Sequence, residues 1–291
     1  MPPDFLCIGA QRAGTAWLYY NISYHPDVWM PPIKEIHYFD DPSTKPIITR
    51  LISRKSDDRR WKRLATRLLF NPKMLFMENR FKWYMRFFLL PRYNDWYESL
   101  FLRGESQITG DITPSYAILD ESSILKIYNL MPKARIIYLL RNPIHRIWSQ
   151  AAMHFSKDGY HGLWTISEKK IMKFLYGEDR YRQSDYLSNL EVWEKFYNKD
   201  QILIGFFDKL VSDPRVFFKD ILRFLNLDDS EKYIPQSVNI KRNSYDYPVI
   251  PDHISSYLSK LCYSSIEKLH QRFDNEYTAS WLEYAKKRRE N

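Results

Sequence analysis

Three stretches of this 291-residue chain carry residue types that can hold an anion and move a proton beside it. Near the amino end, FLCIGAQRAGT places Gly9 and Gly14 five positions apart, with Arg12 between them and Thr15 following. That is the spacing of a loop whose backbone N–H groups, with the positive end of the next helix, cradle a phosphate. A nucleotide hydrolase carries lysine after the second glycine; here that position is Thr15, and the cation sits inside the loop at Arg12. In LLRNPIHRIWS, Arg141 closes an apolar run and Ser149 follows eight positions on. A guanidinium fork and a hydroxyl at that interval can reach one phosphate. KEIHYFD supplies a carboxylate, Glu35, beside Lys34, and an imidazole, His37, which an extended backbone would set on the same face. Either can serve as a general base. Asp111, in GDITPSY, stands at a strand end as an acceptor ligand or a helix cap.

The elements that must position these residues read as alternating strands and helices. FLCIG is a short apolar run, followed by the loop and the helical pattern TAWLYYNI. ARIIYLL, residues 134–140, is the continuous apolar run of a strand buried on both faces. A helix follows it, with Pro143 in its first turn. QITGD (107–111) and QILIGFF (201–207) are further strand candidates, separated by helical patterns. The alternation predicts an α/β protein, a P-loop-like three-layer fold with a central parallel sheet flanked by helices.

With 44% hydrophobic and 16% aromatic residues the chain is a folded globular protein, and its 8 glycines form no linker or repeat. One domain over 1–291 is expected, with a helical, basic and aromatic insertion at about 43–100. Within it, 59–90 reads as two basic helices broken at Asn71-Pro72, packing aromatics on the core or forming a lid over an acceptor groove. The carboxyl end, KKRREN, reads as a solvated, fraying terminus. No apolar run is long enough to span a bilayer, and MPPDFLCIGA has no secretory pattern. Cys7 and Cys262 suit a reducing compartment, hence a cytoplasmic location. A net charge of +9 calls for an anionic partner without selecting among nucleic acid, lipid surface and phosphorylated small molecule.

Taken together, FLCIGAQRAGTAWLYYNISYHPDVWMPPIKEIHYFD resembles the 5′-phosphosulfate loop and following segment of sulfotransferases dependent on PAPS, 3′-phosphoadenosine 5′-phosphosulfate. RIIYLLRNPIHRIWSQAAMHF is similar to their 3′-phosphate segment, and GDITPSY and ILIGFFDKLVSDPRVFFKDILRFLNL to further family blocks. The resemblance runs from about residue 5 to 228, and looks most like the bacterial and carbohydrate-type (heparan-sulfate-like) branch, where glutamate replaces the histidine base. It implies PAPS as donor, PAP as product, no metal, and sulfuryl transfer to a hydroxyl, or secondarily an amine, of a saccharide or small molecule. Nucleic acid is not implied as a partner. Residue by residue, Gln11, Arg12, Ala13, Gly14, Thr15 and Ala16 form the donor loop. Arg12 holds the place of a catalytic lysine, and Ala16 lacks the usual hydroxyl. Arg141 and Ser149 form the 3′-phosphate clamp, closed by Lys241 and Arg242. Glu35 is the implied base, with His37 orienting the acceptor or replacing it, and Asp111 near the acceptor. The related carbohydrate enzymes carry lysine where this chain has Ile112, so contacts made there do not transfer. The alternatives are a P-loop phosphotransferase, which would require the missing lysine and an acidic metal ligand, and a basic protein binding nucleic acid or a membrane surface through 59–90.

Overall fold

The computed structural model describes residues 1–51, 59–70, 80–102, 107–157, 166–240 and 249–290. Its centre is a parallel sheet of strands β1 (Phe5–Gly9), β2 (Val28–Trp29), β3 (Ile108–Ile112), β4 (Arg135–Leu140) and β5 (Ile202–Phe206), in the order β2-β3-β1-β4-β5. Four of these strands match the expected ones. The two-residue β2 was not foreseen, because a strand of that length carries no periodicity.

In chain order the helices are α1 (Thr15–Ile22), α2 (Arg59–Phe70), α3 (Arg80–Leu89), α4 (Asn94–Ser99), α5 (Glu121–Leu130), α6 (Pro143–Lys157) and α7 (Glu168–Leu175). They continue with α8 (Glu178–Arg182), α9 (Tyr186–Glu194), α10 (Phe207–Ser212), α11 (Pro214–Phe224), α12 (Asp252–Phe273) and α13 (Glu276–Arg289). Trp17 on α1 packs against Phe217 and Phe218 of α11 and donates to the Val238 carbonyl at 2.8 Å. A second cluster joins α6 and α9 to α12. Strand β4 is buried over five of its six residues, as a parallel strand covered on both faces must be.

β1 is the topological switch point. The chain leaves it toward β2 and β3, whereas β4 pairs on its other side and leads to β5. Loops leaving the carboxyl ends of β1 and β4 therefore diverge and open a crevice, the place where ligands bind in open α/β sheets.

The basic stretch is helical in its described parts, and Trp61, Trp83, Tyr84 and Phe87 line an inner face. Trp61 lies 5.3 Å from Phe87, which stacks on Trp83 at 5.0 Å and reaches Trp96 at 5.9 Å. Asn71 and Pro72 lie outside the described residues. The carboxyl end corrects the expectation of a fraying terminus. α13 starts from an Asn275–Thr278 capping box and runs to Arg289; Arg288 pairs with Asp252 and Arg289 lies 3.9 Å over the Tyr263 ring, so these two pack back onto α12 while Lys286 and Lys287 are exposed.

In the β1–β3 ladder Phe5 is paired with Gly110, and the phenyl ring occupies the space a side chain there would need: a Cβ on Gly110 would stand 2.1 Å from it. Phe5 is fully buried. Gly110→Ala is expected to lower the urea midpoint by about 1–3 kcal/mol of stability at unchanged m-value, and adding Phe5→Leu to recover part of the loss.

Candidate functional site

The crevice at the ends of β1 and β4 collects the predicted anion-binding residues. The ladder continues past β1 where the Ala10 N–H donates to the Leu139 carbonyl at 2.6 Å, bringing the loop level with Arg141. The loop then turns through Arg12 (φ 71) and Gly14 (φ 95) into α1. Glycine is required at the second turn, since a Cβ there would also stand 2.6 Å from Leu210. Helix α1 has no acidic residue in its first turn, and its N-cap, Gly14, offers no side chain to its leading N–H groups.

Arg12 joins the two halves of the anion site. Its Nε donates to Ser149 Oγ at 2.9 Å, and its carbonyl accepts from Arg141 at 2.9 Å. Arg141 is further held by its guanidinium, 4.6 Å over the Phe207 ring, and by its own carbonyl, which accepts from Tyr186 at 2.8 Å. Arg12, expected in the donor loop at the place of a catalytic lysine, thus joins Arg141 and Ser149, the expected clamp pair, with its side chain turned toward Ser149 and α6. Within the loop, Gln11 Oε1 is buried and has no hydrogen-bond partner among the described residues, Ala13 is buried, and Ala16 is half-buried. Lys241 and Arg242 lie outside the described residues.

The acid-base segment departs from the extended backbone expected of it. Glu35 (φ 65) and His37 (φ 55) are both left-handed, which curls the segment. The two side chains still meet, His37 Nε2 lying 3.7 Å from Glu35 Oε2. His37 Nδ1 is 2.6 Å from Asp40 Oδ2, which also accepts from Ser115 Oγ at 2.5 Å. Burial alone would raise the Asp40 carboxyl, but the hydrogen bond and charge of His37, with the Ser115 hydroxyl, hold it below its ordinary value. On the other side Lys34 Nζ lies 2.5 Å from Glu35 Oε1 and 3.3 Å from Thr15 Oγ1. One polar chain therefore runs Ser115–Asp40–His37–Glu35–Lys34–Thr15, ending on the anion loop.

Beneath this chain Asp111 is fully buried, accepting from Thr113 at 2.7 Å and from Tyr97 and Tyr116 at 3.1 Å each. Burial raises its carboxyl above the ordinary value, partly offset by these hydroxyls. Tyr116 in turn accepts from the Tyr38 N–H at 3.0 Å, and buried Arg92 donates to the His37 carbonyl at 2.5 Å and to Asp41 at 2.7 Å. Asp111 is thus a packing hub under the segment, rather than a cap. Lys34 as a bridge, Asp40, Ser115 and Arg92 are the site residues that sequence reasoning missed. Asp40 was visible as the last letter of KEIHYFD; Arg92, 55 residues from His37, gave no local signal.

Tyr38, Asp40, Asn94, Ser115, Lys126 and Arg182 are among the residues lining a cleft of about 940 Å³ beside this segment. Among the described residues no group of three His, Cys, Asp or Glu side chains is placed to hold a metal ion.

A profile of the sulfotransferase family matches residues 3–231. The membrane-associated sulfotransferase kil1 of Dictyostelium discoideum is 25% identical over 154 residues, 53% of this chain and 23% of that protein. Human heparan sulfate glucosamine 3-O-sulfotransferase 6 is 29% identical over 140 residues, 45% of this chain and 39% of that protein. The matched stretch thus spans well under half the length of these curated relatives. Among solved structures, a sulfotransferase from Alicyclobacillus acidocaldarius superposes with a TM-score of 0.66 at 20% identity, over 97% of this chain and 99% of that one. Mouse sulfotransferase SULT7A1 complexed with PAP superposes with a TM-score of 0.52 at 14% identity, over 98% and 89%. These two likenesses show the P-loop-like α/β fold.

Removing the hub carboxylate strands three buried hydroxyls. Asp111→Ala is expected to lower unfolding free energy by at least about 1–3 kcal/mol, read by urea denaturation.

Proposed function

The chain belongs to the sulfotransferase family and is a sulfuryl-transferring enzyme, and from that premise we propose that it moves the sulfuryl group of PAPS to a hydroxyl of a polar acceptor, a saccharide or similar polyol, with Glu35 as base. The observation that carries this reading is the series of polar contacts from the cleft wall, through Asp40 and His37, across 3.7 Å to Glu35, and by Lys34 to Thr15 of the loop. That series supports an acceptor pocket, a base and a donor cradle lying side by side.

The residues present suit PAPS. Arg12, Arg141 and Ser149 would hold its 3′-phosphate side, while Thr15, Lys34 and the open amino end of α1 would face the 5′-phosphosulfate. Buried Gln11 Oε1 offers an acceptor to a donor group of the bound nucleotide. An acceptor oxygen attacks sulfur in line as Glu35 takes its proton. The bond from sulfur to the bridging oxygen breaks, and its electron pair stays on the departing phosphate. Lys34 occupies Oε1 of Glu35, so Oε2, on the side of His37, is the oxygen that receives the proton. Asp40 holds Nδ1 of His37 and so fixes which ring nitrogen faces Glu35. Charge growing on the leaving phosphate would meet Lys34 and the leading N–H groups of α1, a stabilisation that needs no reorganisation. The cleft supports a polar acceptor, because carboxylate, hydroxyl, amide and cationic side chains all reach its wall.

Glu35→Gln keeps a hydrogen-bonding side chain, so PAP affinity by calorimetry is expected to hold while turnover falls at least ~100-fold. Retained turnover in Glu35→Gln, with activity abolished in His37→Ala at unchanged PAP affinity, would transfer the base role to His37. Arg141→Ala is expected to weaken PAP roughly 10-fold to 150-fold without added metal, the effect of losing one charged hydrogen-bond partner. PAP binding equal to the parent would sink the clamp, and an absolute magnesium requirement would favour the phosphotransferase reading.

A further inference from the structure

Helices α2 and α3 carry eight arginines and lysines and not one aspartate or glutamate over residues 59–70 and 80–90. They turn Trp61, Leu68, Trp83, Tyr84 and Phe87 inward, where all five are buried. The outward face is neither purely charged nor purely apolar. On α3, Phe81, Met85 and Leu89 are 43%, 42% and 41% exposed at positions i, i+4 and i+8, one stripe along the helix, with exposed Lys82 beside it. Leu90 and Tyr93 extend the apolar side past the helix end. On α2, Arg63 and Arg67 are exposed, and Phe70 at its last turn is 86% exposed.

We propose that this face docks the protein on a bilayer surface rich in anionic phospholipid, with Phe81, Met85 and Leu89 entering the acyl boundary and Arg63, Arg67 and Lys82 at headgroup level. Charge selects the sign of the partner. A second copy meeting this face would set one basic surface against another, so self-association is opposed. The apolar stripe selects lipid over nucleic acid. Phosphate contacts need cations alone, whereas an interfacial helix needs large apolar side chains between them. The docking itself does not rest on the sulfuryl-transfer reading. The chain passes from the end of α3 at Leu89 to Arg92 and Asn94 of the cleft wall within five residues, so a docked molecule would hold that cleft next to the headgroups.

The test is co-sedimentation of the full chain with vesicles of phosphatidylcholine alone and with about one-third phosphatidylglycerol, at low and physiological salt. Binding to the anionic vesicles only is expected. The charge-reversed variant Arg63→Glu/Arg67→Glu/Lys82→Glu should bind them at least about tenfold more weakly. Phe81→Ser/Met85→Ser/Leu89→Ser should lose the binding that survives physiological salt. None of these residues lies in the anion site or the polar chain, so PAP affinity equal to the parent certifies the fold; Leu89→Ser/Leu90→Ser replaces the triple variant if that one fails to fold. The proposal is overturned by absence of binding to anionic vesicles, or by binding that neither set of substitutions reduces. It is equally overturned if a single-stranded oligonucleotide competes fully and the apolar variant binds as the parent does, which makes the face a nucleic-acid surface. A concentration-dependent dimer lost in the apolar variant would assign the face to a second copy.

Discussion

The parallel pairing of β1 with β4 is the constraint on which the rest of the site depends. Cys7 is in register with Ile137 and Gly9 with Tyr138, the register shifting by one residue between them, and the Ala10 N–H carries the ladder one step past the strand. Two loops that are 130 residues apart in sequence are thereby delivered to one level. Only at that level can the Arg12 carbonyl accept from Arg141 while its side chain reaches Ser149. A sheet in which these strands were not neighbours would keep both motifs and lose the clamp. The switch in direction at β1 then opens the crevice above them.

The base segment rests on a different support. Two consecutive-but-one residues in left-handed conformation, Glu35 and His37, are costly for side chains of their type and persist only when surroundings over-determine them. Those surroundings are visible. Arg92 grips the His37 carbonyl, Tyr116 accepts from the Tyr38 N–H, and Asp40 holds the His37 ring between itself and Glu35. Beneath them Tyr38 stacks on Tyr97 at 4.8 Å, and Tyr97 and Tyr116 both donate to Asp111. The buried carboxylate at the end of β3 transmits the position of the sheet to the base loop through two tyrosines.

What was legible in the sequence follows from how far apart the interacting residues stand. β1 and β4 were readable because a strand buried on both faces must be apolar where it is covered, and FLCIG and IIYLL are. The Gly9, Gly14 and Arg141–Ser149 spacings were readable because loop and helix geometry are local. The curl at Glu35 and His37 was not, since neither residue type prefers that conformation and its cause, Arg92, lies in a distant segment. Lys34 illustrates the same limit. The sequence sets only Glu35 beside it, but α1 brings Thr15 to its other side and makes the lysine a bridge. The carboxyl terminus was misread for the reciprocal reason: a run of like charges looks solvated until Asp252 and Tyr263 are placed beside it.

The distribution of charge explains how a site without a loop lysine is organised. In the proposed reading Arg12 supplies field and geometry to the bound nucleotide. Its carbonyl and guanidinium are committed to Arg141 and Ser149, which fixes that field before any ligand arrives. The titratable groups stand apart from it, in the Lys34–Glu35–His37–Asp40 series, where each member orients the next. In the proposed reading, the arginines that hold the 3′-phosphate side are thereby set by other neighbours than the carboxylate that takes a proton. A lysine inside the loop would belong to both groups at once; Lys34, carried on the base segment and reaching Thr15, joins the two from the opposite side.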